Sequence, residues 1–210
     1  MQIHRTIAMS AAVLGVAALT ACSSSTPDSA PSPTESVATA PMMQGSPTDI
    51  AFAQSMIPHH QQAIEMADLA LDPAAGASEQ VKQLAEQIKG AQDPEIQQMT
   101  QWLQAWGAPT AMPGATDGGG TAGMDHSGHD MGGMTMSGMM TAEQMQQLEQ
   151  ARGADFDQMW LTMMIAHHQG AISMAQQAQA SNSSQVTTLT DAIITGQQQE
   201  IATMQQLLAK

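Results

Sequence analysis

Two stretches of this 210-residue chain carry the same phrase, and its residues are ones that bind metal ions. The first reads Met56-Ile57-Pro58-His59-His60-Gln61-Gln62-Ala63-Ile64-Glu65-Met66-Ala67. The second reads Met164-Ile165-Ala166-His167-His168-Gln169-Gly170-Ala171-Ile172-Ser173-Met174-Ala175. The two pairs take four of the seven histidines. Imidazole is a borderline ligand and thioether a soft one, and copper best suits the mixture. A duplicated His-His pair implies two equivalent places that hold something, or one place built from two halves.

Residues four apart on a helix stack on one face. Met56 and His60 are so spaced, as are Met164 and His168, and Met163 and His167. Each pair can pinch one soft ion between thioether and imidazole. Met66 and Met174 lie two turns beyond His59 and His167. Phe52, Met56, His59, Ala63 and Met66 form one continuous stripe, and Trp160, Met164, His167, Ala171 and Met174 form its counterpart. Adjacent histidines diverge by about 100° around a helix, so one of each pair is expected to face a core and the other its flank. Met99, Met204, Gln92, Gln197, Glu95 and Glu200 are further candidates from a facing helix. The competing reading is that these methionines fill a core and the histidines are simply hydrogen-bonded within it. Two equivalent buried pairs weigh against it, because each buried imidazole costs desolvation unless it is satisfied.

Between the repeats lies a glycine-rich run, 124–140, that includes Met124, His126, His129, Met131, Met134 and Met136. Thioether suits Cu(I), and imidazole with carboxylate suits Cu(II), so the run reads as an auxiliary metal trap. The alternative is a flexible spacer of biased composition. Other chemistries fit poorly. The chain has no Glu-x-x-His for a di-iron bundle, no His-Glu-x-x-His, no Gly-x-Ser-x-Gly and no phosphate loop. No catalytic machinery is recognisable, and the chain is not expected to be an enzyme.

The elements that must position these residues are helical. A shift of 108 residues pairs Asp49 with Asp157, Phe52 with Trp160, Met56 with Met164 and Met66 with Met174. A shift of 105 pairs Gln92 with Gln197, Glu95 with Glu200, Ile96 with Ile201 and Met99 with Met204. The change of shift places a three-residue deletion in the second hairpin's loop. Each unit is therefore a helix-turn-helix. The first helix starts near Pro47 and runs to about Leu71, with a kink expected at Pro58. The second runs from an N-cap at Ser78 to Trp106, with Gly107 as a stop. Thr141-Ala142-Glu143-Gln144 resembles a capping box opening a short helix. Further helices are expected from about Ala154 to Ala180 and, capped by Asn182-Ser183-Ser184, to about Leu208. Two hairpins, each with one apolar face, bury that face best by packing together. The expected fold is all-α, a four-helix bundle of two duplicated hairpins.

The remaining segments set the context. Ile7 to Leu19 is an apolar run too short to span a bilayer as a permanent helix, and it ends Leu19-Thr20-Ala21-Cys22. That resembles a lipobox, with 1–21 as signal peptide and Cys22, the one cysteine, as the lipidated residue. Residues 22–47 read as a Ser/Thr/Pro tether, 48–106 as the first hairpin, 107–140 as the linker and 141–210 as the second hairpin. The expected place is outside the cytoplasmic membrane, held by the lipid anchor alone. A net charge of −14 argues against nucleic acid as a partner and suits the attraction of cations.

The two motifs resemble the bacterial secreted family known as domain of unknown function 305. Its hallmark is a "D..F...MI.HHQ.AI.MA" helix followed by "I...Q..EI..M..WL". The first copy matches through Asp49, Phe52, Met56-Ile57, His59-His60-Gln61, Ala63-Ile64, Met66-Ala67, then Ile88, Gln92, Glu95-Ile96, Met99 and Trp102-Leu103. The second copy departs at Leu207, where the family has Trp, and at Gly170 and Ser173, where the first copy has Gln62 and Glu65. The resemblance implies a ferritin-like fold and, because the family includes a periplasmic copper-binding protein, extracytoplasmic copper binding or resistance. Two rivals stand beside that expectation. One is a structural or partner-binding helical module without metal, and the other a redox enzyme with an unconventional metal centre.

Overall fold

The computed structural model describes residues 45–111 and 137–210. Cys22 and the linker residues Met124, His126, His129, Met131, Met134 and Met136 lie outside the described residues. Five helices and no strands make up what is described: α1 (Pro47–Leu71), α2 (Glu79–Ala105), α3 (Ala142–Gln150), α4 (Gly153–Ala178) and α5 (Ser184–Leu208). None of them is long and apolar enough to cross a membrane.

Local chemistry fixes most of the ends. Ser46 and Asp49 close a capping box on α1, with Pro47 at its first position. Ser78 caps α2 by accepting from the Val81 N–H, and Asp157 of α4 accepts from the Ser78 N–H at 3.1 Å. Thr141 and Gln144 form the capping box that opens α3. The short α1–α2 turn ends at Gly76, whose φ of 63° suits a residue without a Cβ. Two expectations are corrected. Helix α4 stops at Ala178 rather than Ala180, where a turn follows with Ser181 N–H donating to the Ala178 carbonyl. At α5 the cap is Ser183, and its side chain makes no capping hydrogen bond. Both Pro58 and Pro94 sit inside helices that continue through them.

Helices α1 and α2 form one hairpin and α4 and α5 the other; the hairpins meet mainly through α1 against α4, and α3 lies on both. Two apolar clusters result. One holds Met66, Met164 and Met204 with Phe156, Trp160 and Ile88, and the other holds Met56, Met99 and Met174 with Phe52, Leu103 and Ile193. Each cluster takes one member of every duplicated methionine pair, so α1 and α4 run antiparallel and the repeats exchange places across the seam. Burying a side chain of this kind stabilises by about 1.5–3 kcal/mol, and the clusters hold the bundle together. Between them, along every long helix, lies a polar layer: His59 and His60 on α1, Gln92 on α2, His167 and His168 on α4, Gln197 on α5. All six are buried.

Candidate metal centre

The layer exists because each motif places polar residues between apolar ones on an inward face. On α1 the histidines fall between Met56 and Ala63; on α4 they fall between Met164 and Ala171. The alanines leave room beside the rings. Both predicted stripes are fully buried or nearly so. The two histidines of each pair then diverge as helical geometry requires. His59 and His167 point across the seam and meet there, with ring centroids 3.8 Å apart and planes tilted by 43°. His60 and His168 point instead to the second helix of their own hairpin. His60 Nε2 lies 2.6 Å from Glu95 Oε2, and His168 Nε2 lies 2.7 Å from Glu200 Oε2. The two bonds are equivalent under the repeat, and both glutamates stand at the edge of the core, with side chains 18% and 17% exposed.

The His59 bond is not repeated. Its Nε2–H donates to the carbonyl of Ser137 at 3.0 Å, where the linker returns to the bundle. Residues 137–140 form a strap across α1 and α4. Gln62 clamps it from one side, donating through Nε2 to the Met140 carbonyl (2.9 Å) and accepting from the Met140 N–H (2.7 Å). Gly170 admits it on the other side, since a Cβ there would stand 1.8 Å from the Ser137 carbonyl oxygen. Gly138, with φ of 84°, fits its backbone against the Ala166 carbonyl. The departure of Gly170 from Gln62 in the repeat therefore has a structural purpose. Sequence reasoning flagged Gly170 only as a departure and did not find the strap. A glycine inside a helix, which costs about 1 kcal/mol against alanine, was the available signal.

Among the described residues, all the buried side-chain atoms without a hydrogen-bond partner lie in this layer except Asp49 Oδ1. His59, His60 and His168 each give Nε2 to an oxygen and leave Nδ1 buried with no hydrogen-bond partner among the described residues; His167 leaves both nitrogens so. Gln92 adds an unpartnered amide, and Gln197 an unpartnered Oε1. Buried polar atoms rarely lack partners, and each such atom costs on the order of 1–3 kcal/mol. Burial also holds the central pair neutral. It is the main cause that lowers His59 to about 4, helped by the nearby His60 and His168 and opposed by the bond to Ser137. Burial lowers His167 to about 2, and the neighbouring His59, His168 and His60 add to the effect. Contact with the His59 backbone is the smallest cause and opposes the shift. A neutral imidazole presents a lone pair that protons do not contest at pH 7.

Among the described residues, no three His, Cys, Asp or Glu side chains converge closely enough to hold one ion. The four histidines form a central pair in ring contact and two outlying His–Glu pairs. Among the described residues, fully buried sulfur stands in the flanking clusters at Met56, Met66, Met164 and Met174. Met163 differs: it is half-buried on the flank of α4.

The family model described as domain of unknown function DUF305 matches residues 49–208. The chain belongs to the DUF305 family. A DUF305 fragment from Deinococcus radiodurans superposes with a TM-score of 0.65 at 27% identity, over 79% of this chain and 98% of its own. A DUF305 protein from Streptomyces coelicolor, taken to be secreted, gives 0.64 at 27% identity, over 77% of this chain and 92% of its own. The Cu(II)-bound form of CopM gives 0.60 at 34% identity, over 77% of this chain and 95% of its own. No curated protein matches the chain. This DUF305 chain is thus an all-α bundle similar in structure to a copper-bound protein.

Proposed function

We propose that this DUF305 protein binds copper in the cell envelope, to sequester it or hand it on, and is not an enzyme. The observation that carries the reading is the pattern of nitrogen use. A histidine that ligates a metal almost always donates its other ring N–H to a carbonyl or carboxylate, which fixes tautomer and orientation. His59, His60 and His168 are arranged so, through Ser137, Glu95 and Glu200, with Nδ1 left as the lone-pair nitrogen. His59 and His167 are the first candidates to hold an ion, with a buried thioether beside them, because Cu(I) accepts sulfur and neutral imidazole. The likeness to CopM, which has been solved in Cu(II), Cu(I) and silver forms, supports the same reading. Linker residues His126, His129, Met124, Met131, Met134 and Met136 would be an auxiliary trap, and Cys22 the lipid anchor.

The His–Glu bonds favour one rival, since each also staples a hairpin together and would do so in a module that never met a metal. Thermal unfolding separates the two. A ligand that binds only the native state raises the midpoint, by an amount equivalent to about 2.7 kcal/mol at a hundredfold excess over Kd. We expect such a rise with Cu(I) or Ag(I) and none in a variant lacking all four paired histidines. An unchanged midpoint in the native sequence favours the structural module.

A further inference from the structure

The outer flank of α4 carries a ladder that leads to His167. Asp155, Met159, Met163 and His167 follow one another at intervals of four residues. Each such step turns about 40° beyond a full circle, so three steps wind about 120° around the helix. Exposure changes accordingly: Asp155 is exposed, Met159 and Met163 are half-buried, and His167 is buried with both ring nitrogens unpartnered. Asp155, Met159 and Met163 also line one open cleft of about 610 Å³, which Gln144 of α3 borders.

We propose that Met159 and Met163 form a solvent-facing binding site for a soft monovalent cation, Cu(I), that passes the ion inward to His167. This rests on the metal reading above and adds a place and a direction of loading. Side chains on successive turns stand about 5–6 Å apart at Cβ, close enough for two thioethers to share one ion. Asp155 supplies charge at the mouth rather than a bond, and the overall charge of −14 reinforces it. The ordinary reading of half-buried methionines is packing, and both do touch the first apolar cluster. Packing alone does not explain two thioethers in one open cleft, in line with the one described histidine whose nitrogens both lack a well-formed hydrogen bond. The first repeat has no such route. Its corresponding positions are Pro47, Ala51 and Ser55, and the Nε2 of its His59 is taken by the strap. Loading is therefore one-sided.

The test is a titration of the full chain with Ag(I), a redox-inert stand-in, read by methionine methyl and histidine ring NMR signals. The proposal expects the Met159 and Met163 methyls to shift at the lowest ratios, followed by His167. A Met159→Leu/Met163→Leu variant, which keeps side-chain volume, should slow the His167 response. Met145→Leu, another half-buried methionine on the same cluster, should not. If His167 responds while the two methyls stay still, or at an unchanged rate in the double variant, the ladder is overturned and the central site stands. If the methyls shift and His167 never does, the hand-on is overturned. Silence at every signal overturns the metal reading and the ladder together.

Discussion

The two halves of the polar layer derive from one repeated phrase and are not equivalent. In the first half His59 has its Nε2 fixed by the Ser137 carbonyl, and Gln62 holds the strap that supplies it. In the second half neither ring nitrogen of His167 has a well-formed hydrogen bond among the described residues, and Gly170 stands where a side chain would strike the strap. The flanks agree in both halves, His60 with Glu95 and His168 with Glu200. Duplication thus supplies a matched pair of flanking bonds, and the returning linker breaks the symmetry at the centre. One histidine is oriented and the other is left free to respond.

Acid should expose the difference most. A lowered folded pKa means that the unfolded chain takes up its proton first. Stability is then lost as pH falls below about 6.5, and the loss ends where the folded group titrates. For His59 the loss ends near pH 4, and for His167 it continues towards pH 2. The His59 share is about 3 kcal/mol. Urea unfolding of metal-free protein from pH 7 to 4, compared with a His59→Leu variant, checks it; a parallel pH dependence in the two would refute the assignment.

Removing the central pair should weaken binding more than removing a flank. His59→Ala/His167→Ala should cost roughly 100-fold in Ag(I) affinity, and Glu95→Gln or Glu200→Gln roughly tenfold each, as expected for a partner that orients a ligand. Competition with a chelator of known affinity measures this. Unequal losses for the two glutamates would show that the flanks are no more alike than the centre.

The strap should fail from either side. Gly170→Ala forces it off α4, an overpacking cost of about 1–3 kcal/mol set against about 1 kcal/mol of better helix propensity. Gln62→Ala removes the two bonds to Met140 at a comparable cost. Both should increase amide exchange at Met140; if only one does, the clasp is not a unit. The smallest effect is expected at the amides. Gln92→Leu should stabilise the metal-free protein by about 1–2 kcal/mol, and Gln197→Leu by less, since only its Oε1 is both fully buried and unpartnered. Chemical denaturation distinguishes them.

Much of this was legible in the sequence. Ser78, Thr141 and the repeat spacing gave the helices and their pairing, because caps and periodicity are local. The stripes through His59 and His167 were readable from helical geometry. Which histidine would meet which partner was not, since the 100° between neighbours leaves open whether a ring faces the other hairpin or its own. The strap was also hidden. It depends on a carbonyl at Ser137 meeting a ring 78 residues away, and no periodic signal encodes such a contact. Methionine identity said least, because the same side chain serves as core filler at Met66 and Met174 and as a cleft wall at Met163.

The most direct test is nitrogen-15 NMR of the histidine rings in the full chain, with and without one equivalent of Ag(I). The His59 and His167 Nδ1 resonances should move on binding, while the Nε2 of His59, His60 and His168 remain protonated and bound to oxygen. Unmoved Nδ1 resonances at His59 and His167, in protein that has demonstrably taken up the ion, would contradict it.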